Sequence, residues 1–414
     1  MISRRGAVLG GLFLVLLTAI VTWGLATGAY GGGPGMRGLV RSLLRGTGFA
    51  NLAVGLALVE TRSAQVVHPD QLAQAALRGA VASLGDPYSQ YLTPGAYRAL
   101  LGNAAGRYTG IGIELQQDAE GDPVVDRVVA GSPADLAAYA GQPAGSAPGL
   151  RAGDRILRVD GQDAAGMDPG LLRSLIVGPA GSQVRLQVLR PAPAGPGQTL
   201  AFTLTRRAIE LQAVTWAVLP GGIGYLAIAM FTQQSGPQMQ AAVAALQARH
   251  VGAIVVDLRD DPGGLITAAQ QVARYLLPGG VLAYLQPRGG ARQAVAVTAP
   301  LPLGVPYAVL IDGHTASAAE LVAGAIQDDG AAPLLGAPTF GKGSVQQVFP
   351  LAGGAALKLT VAHYLTPRGR VVDGVGITPD RAVPFPGQSA DAMGQVATDP
   401  QLAAAVALLQ ARGA

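Results

Sequence analysis

From Gly221 onward the chain alternates short apolar runs with helix-patterned stretches, and this constrains its fold more than any other feature. GIGYLAIAMF (222–231), GAIVVDLRD (252–260) and YAVLID (307–312) read as strands. Between and after them, SGPQMQAAVAALQARH (235–250), LITAAQQVARYLL (265–277) and ASAAELVAGAIQ (316–327) carry apolar residues at helical spacing. Repeated strand–helix units argue for an α/β layer. Ser235 is the expected N-cap of the first helix, with Pro237 in its first turn.

The rest of the chain has other textures. Between Tyr108 and about Arg207, short alternating runs such as TGIGIELQQ, SQVRLQVLRP and TLAFTLTRR are separated by Gly/Pro turns, which predicts a compact, mainly β module. A Pro/Gly/Ala-rich piece, Tyr139–Gly149, reads as an inserted loop. Residues 36–105 read as helical: HPDQLAQAALRGAVASL (68–84) has Asp70 as its N-cap, and GDPYSQYLTP follows as turns. DPQLAAAVALLQARG (399–413) predicts a short C-terminal helix. The expected division is 1–35 (membrane anchor or signal segment with a Gly-rich linker), 36–105 (helical), 106–207 (β module), 208–385 (α/β domain) and 386–414 (tail helix).

The apolar stretch AVLGGLFLVLLTAIVTWGLA (7–26) bears on location. At about 1.5 Å per residue it is long enough to span a bilayer, and it exceeds the core of an ordinary signal peptide. A retained anchor and a cleaved signal both stay open, and both put the remainder on the extracytoplasmic side, in the periplasm or cell envelope. A net charge of +4 spread over a chain with only 13% charged residues, without a dense basic stripe, excludes nucleic acid as a partner. The absence of cysteine excludes disulfides and thiolate chemistry.

GAPTFGKGSVQQVFP (336–350) resembles a phosphate-binding loop, with Gly343 where a Ser or Thr should stand. That use needs a helix after the loop, and SVQQVFPL reads as a strand. Lys342 is better explained as a base. Only it and Lys358 are lysines, leaving arginine as 27 of the 29 basic residues, and arginine cannot give up its proton in a protein. Uncharged neighbours suit a lysine whose proton affinity must fall, and Gln346, four residues on, could hold the amine. Ser317 follows a strand and a tight turn at a helix start, where developing negative charge is favoured. Gly263-Gly264, after another apolar strand, offers bare N–H groups for an oxyanion. His314 reads as a surface hydrogen-bonding residue, and His68, His250 and His363 occupy element ends or a strand.

At these residues the chain resembles the carboxyl-terminal processing peptidases, or tail-specific proteases. The resemblance runs through LGDPYSQYLTP, GIGIEL, GSPA, LRAGDRILRVDG, DLRDDPGGL, ASAAELVAGAIQD, GAPTFGKGSVQQVFPL, ALKLTVAHYLTPRGR and GVGITPD in matching order. It implies an α/β, multidomain (α+β) chain: an N-terminal helical region, a PDZ domain over 106–207, and a serine peptidase domain of the ClpP/crotonase-like kind. It implies Ser317 as nucleophile, Lys342 as base 25 residues later, Gln346 as its support, and the N–H groups of Gly263 and Ala318 as oxyanion donors. In the PDZ domain, Gly110, Ile111, Gly112 and Ile113 would receive a peptide's C-terminal tail as an added strand. Expected partners are protein or peptide substrates with exposed C-termini and the membrane through residues 7–26; a homo-oligomer stays open, and no metal or cofactor is implied. The chain departs from the family pattern at Asp261, where Asn is usual, and in the turn DGHTAS. The alternative reading is a non-catalytic PDZ-based adaptor on a peptidase fold.

Overall fold

The computed structural model describes residues 47–413 apart from 119, 143–148, 193, 194, 196 and 386–393. The apolar stretch 7–26 and most of the inserted loop 139–149 therefore lie outside the described residues. No helix among the described residues is long and apolar enough to cross a membrane. The chain divides into two compact units, 1–83 and 84–414.

The first unit holds α1 (Thr47–Arg62) and α2 (Pro69–Ala82). Helix α2 starts earlier than its sequence signal suggested. Pro69, with φ fixed for a first helical turn, puts His68 at the N-cap and leaves Asp70 inside the first turn. There the Asp70 carboxylate faces the positive end of the helix dipole instead of capping it.

The second unit opens with β1 (Gln90–Leu92) and α3 (Pro94–Ala104), then a β module. Its main sheet has the order β3-β4-β5-β7-β8: β3 (Ile113–Gln117), β4 (Pro123–Val128), β5 (Arg155–Val159), β7 (Gln183–Arg190) and β8 (Gln198–Thr205), with β6 (Gln162–Asp163) on β5. Helices α4 (Pro133–Leu136) and α5 (Pro169–Ile176) accompany it. The stretch read as one strand, TGIGIELQQ, is two. β2 (Arg107–Gly110) pairs with β9 (Arg207–Glu210), whereas β3 joins the main sheet. The chain breaks between them at Gly112, whose φ of 87° no strand residue adopts. Alternation sets the core: Val184, Leu186 and Val188 of β7 face Leu200, Phe202 and Leu204 of β8, and the intervening residues are exposed.

The α/β domain follows. Its six-stranded sheet runs β10 (Val214–Leu219), β11 (Ile223–Ile228), β12 (Ala253–Asp257), β15 (Tyr307–Ile311), β16 (Leu334–Gly336), β19 (Arg381–Ala382), all parallel except β10. Strands β12 and β15 are buried at every residue because helices cover both faces. Ile254 and Val256 face the core shared with α6 (Ser235–Gln247), α7 (Ile266–Leu276) and α8 (Ala318–Asp329). Ala253 and Val255 face Leu402, Ala405 and Leu409 of α9 (Pro400–Gly413). The C-terminal helix thus covers one face of this sheet and is no appendage. A second, antiparallel sheet, β1-β18-β13-β14 with β17 on β18, covers the far side of α7 and α8. It comprises β13 (Gly280–Pro287), β14 (Gln293–Val297), β17 (Ser344–Pro350) and β18 (Ala356–Leu365). Ser235 begins α6 but does not cap it. Its hydroxyl accepts from Thr232 N–H and donates to Met230 C=O, fixing the preceding turn.

Candidate active site

Three loops converge where parallel strands end: the β12–α7 loop with Gly263-Gly264, the β15–α8 turn with Ser317, and the β16–β17 loop with Lys342. Such carboxyl-end crevices are where open α/β sheets bind ligands.

Ser317 stands immediately before α8 with φ 54° and ψ −115°, a conformation that costs a non-glycine residue of order 1–3 kcal/mol. The surrounding bonds impose it. Asp312 Oδ1 accepts from the N–H groups of His314 and Thr315 at 3.0 and 2.9 Å, and Ala316 N–H donates to Asp261 C=O at 2.9 Å. The neighbouring loop is equally close. A Cβ placed on Gly263 would lie 2.7 Å from Ala318 N and 2.8 Å from Ser317 Cβ. One placed on Gly264 would lie 2.1 Å from Phe231 O, so only glycine lets the loop pass there.

The bolt between serine and lysine is Glu320, which is fully buried. Its carboxylate accepts from Ser317 N–H (2.8 Å), Gly341 N–H (2.7 Å), Lys342 N–H (2.9 Å) and the Thr339 hydroxyl (2.5 Å). Tyr364 reaches over the same place, donating to Ser317 C=O at 3.1 Å. The backbones of the Ser317 turn and the lysine loop are therefore one hydrogen-bonded frame. Sequence reading passed over Glu320, although Ser-x-x-Glu at a helix start is a recognisable capping spacing.

The Lys342 side chain is half-buried, with its ammonium 4.9 Å from the centre of the Tyr88 ring. Burial lowers its proton affinity, the charge of Lys358 lowers it further, and Glu320 opposes both. The chain's other lysine is thus the electrostatic neighbour of the first. In this arrangement Lys342 Nζ makes no hydrogen bond to Ser317 or Gln346 among the described residues. Gln346 Nε2 donates instead to the hydroxyls of Ser344 (2.9 Å) and Thr360 (3.1 Å). Gly343, where a phosphate loop would need Ser or Thr, packs against the 373 backbone: a Cβ there would lie 2.3 Å from Asp373 N. The strand β17 follows directly. Neither feature suits a phosphate cradle.

Of the expected oxyanion donors, Ala318 N–H has no acceptor among the described residues, and the same holds for Gly264 N–H. Gly263 N–H donates to Asp261 Oδ1 at 2.7 Å. Asp260, Asp312 and His314 bring ligand-type atoms within 4.8 Å of one another. His314 Nδ1 bonds Asp260 at 2.7 Å and Asp312 Oδ1 takes the backbone N–H groups of the turn. We read these three as the turn's hydrogen-bonded frame. His314 is exposed, as expected from its place in the turn, and His363 lies beside Asp373 at 3.3 Å.

In the β module, Gly110, Ile111 and Gly112 are buried, and Ile111 and Gly112 have N–H groups without acceptors among the described residues. β3, which begins at Ile113, is an edge strand of its sheet. Arg127 bonds Glu114 across β3–β4.

The model of peptidase family S41 matches residues 222–383. A carboxyl-terminal-processing peptidase 2 of the Arabidopsis thaliana chloroplast is 33% identical over 327 residues, 75% of this chain and 60% of that protein. A carboxy-terminal-processing protease of Bartonella bacilliformis is 34% identical over 337 residues, 79% of this chain and 73% of that one. Among solved structures, a candidate S41 protease from Bacteroides fragilis superposes with a TM-score of 0.54 at 20% identity, over 85% of this chain and 96% of the other, a likeness of fold.

Proposed function

The chain belongs to peptidase family S41, and on that premise we propose that it is a serine endopeptidase working through a Ser317–Lys342 dyad. Ser317 Oγ attacks a peptide carbonyl while Lys342 Nζ takes its proton, then returns it to the leaving amine. The oxyanion is received by Ala318 N–H and the glycine loop. There Gly264 N–H is open as it stands, and Gly263 N–H opens when Asp261 releases it. To act, Lys342 swings from the Tyr88 ring toward Ser317, with Gln346 reorienting to hold it.

The observation that carries this reading is the Glu320 carboxylate, which fixes the backbones of Ser317 and Lys342 to one another while leaving both side chains free to react. Lowered proton affinity at Lys342 supports its role as base. The β module acts as a PDZ domain, taking a protein's C-terminal tail on the open edge of β3, with its carboxylate at the N–H groups of residues 110–113. Substrates are extracytoplasmic proteins with exposed, apolar C-termini.

The test is cleavage of an unfolded protein with an apolar C-terminus by wild type, Ser317→Ala and Lys342→Arg. Activity in the wild type alone supports the dyad. Equal cleavage by Lys342→Arg sinks it, because arginine keeps charge and reach but cannot act as base. Tail binding without cleavage in the wild type points to the adaptor, and dependence on ATP to the phosphate loop.

A further inference from the structure

Asp261 is fully buried, and it sits in the turn that leads into the glycine loop. Its Oδ1 accepts from Gly263 N–H at 2.7 Å, and its own C=O accepts from Ala316 N–H, one residue before the nucleophile. Its Oδ2 is buried with no hydrogen-bond partner among the described residues. A carboxylate so placed would be a charge out of water with one neutral donor, whereas a buried charge persists when it is paired or held by several donors.

Among the described residues, no element around it offers a charged partner. On its own loop, Arg259 is taken up by Asp257 and Asp399. Asp260 is bonded to His314 of the nucleophile turn. From that turn Asp312, and from α8 Glu320, are themselves acids occupied by backbone N–H groups. Lys342 lies over Tyr88. The β11–α6 turn, which meets the loop at Phe231, carries no ionisable residue. Burial accordingly holds the Asp261 carboxyl well above the usual carboxylate range, opposed by the single Gly263 bond.

We propose that Asp261 is a positioning residue that works as a neutral carboxylic acid, steadying the oxyanion loop while it carries its proton and disabling the loop when it ionises. Two effects follow from proton loss. An anion at Oδ1 grips Gly263 N–H by a stronger, charge-assisted bond and withholds it from the reaction. It also sets a second negative charge beside the one that develops on the substrate. The family's usual asparagine offers the same acceptor with no titration.

The sign for stability follows from the raised affinity. The folded state keeps a proton that the unfolded chain releases near pH 4, so the contribution is whole below that pH and is lost as pH rises toward the folded-state value. Asp261→Asn removes the effect.

The test compares Asp261 with Asp261→Asn in the full chain. Thermal midpoints, taken with Ser317→Ala also present to prevent self-cleavage, are expected to coincide near pH 4. By pH 9 they should separate in favour of asparagine by about 3 °C or more. This arm does not depend on the peptidase reading. The second arm rests on it: kcat/KM of the wild type falls on an alkaline limb that Asp261→Asn lacks. Parallel midpoint curves overturn the neutral acid. A separation of midpoints without a difference in alkaline limbs overturns the positioning role. Should the asparagine chain fail to fold, the infrared spectrum of the wild type decides: a protonated carboxyl band at neutral pH, lost in alkali, is expected, and its absence overturns the proposal.

Discussion

The two loops that flank Ser317 are built on opposite terms. The lysine loop is held through Glu320, a buried carboxylate with four close donors. The glycine loop is held through Asp261, a buried carboxyl with one. A satisfied buried acid fixes its surroundings, whereas an under-satisfied one makes them depend on its protonation. On the proposed roles, the site combines a rigid frame for its reacting groups with an adjustable receptor for charge.

The comparison breaks most severely at Glu320. Its replacement by alanine leaves several buried donors unpaired, at about 1–3 kcal/mol each, so a loss of folded protein or a midpoint fall of about 6–15 °C is expected in calorimetry. Next is Gly264→Ala. The new methyl cannot share space with Phe231 O, so the loop must shift, and kcat/KM is expected to drop by about 100-fold with much of the fold retained. Circular dichroism beside kinetics separates the two effects.

Two smaller changes probe Lys342 from opposite sides. Lys358→Met removes a positive charge that disfavours protonation of Lys342, so the acid limb of kcat/KM moves to higher pH and activity at pH 7 falls. A limb that stays put would break the electrostatic link between the lysines. Tyr88→Leu removes the ring that favours the charged ammonium, so the limb moves to lower pH, with a change at pH 7 below about tenfold. Tyr88→Phe, which keeps the ring, should leave the profile near that of the wild type.

Much of the architecture was legible because its signals are local. Continuous apolar runs such as AIVVD mark strands covered on both faces, and Ser317 marked a helix start. What escaped depends on distant partners. Nothing in DPQLAAAVALLQARG says that its apolar face closes the sheet beneath Val255 and Leu310. TGIGIELQQ reads as one strand because the sequence does not tell that β2 pairs with a segment some hundred residues later. At the site, the residues proposed as nucleophile and base stood out in the sequence by type and spacing. The Lys342–Tyr88 contact and the engagement of Gly263 N–H by Asp261 are matters of side-chain orientation, which composition and spacing do not encode.

Arg259 has a further consequence. Buried between Asp257 before it and Asp399 and Gln401, 140 and 142 residues later, it ties the strand leading into the glycine loop to the start of the last helix. A ribosome delivers Asp257 and Arg259 long before their later partners. Until residues 399–401 emerge, the arginine lacks half of its acceptors and the sheet lacks one of its covers. The strand that leads into the glycine loop therefore gains its last partners only after residues 399–401 have left the ribosome.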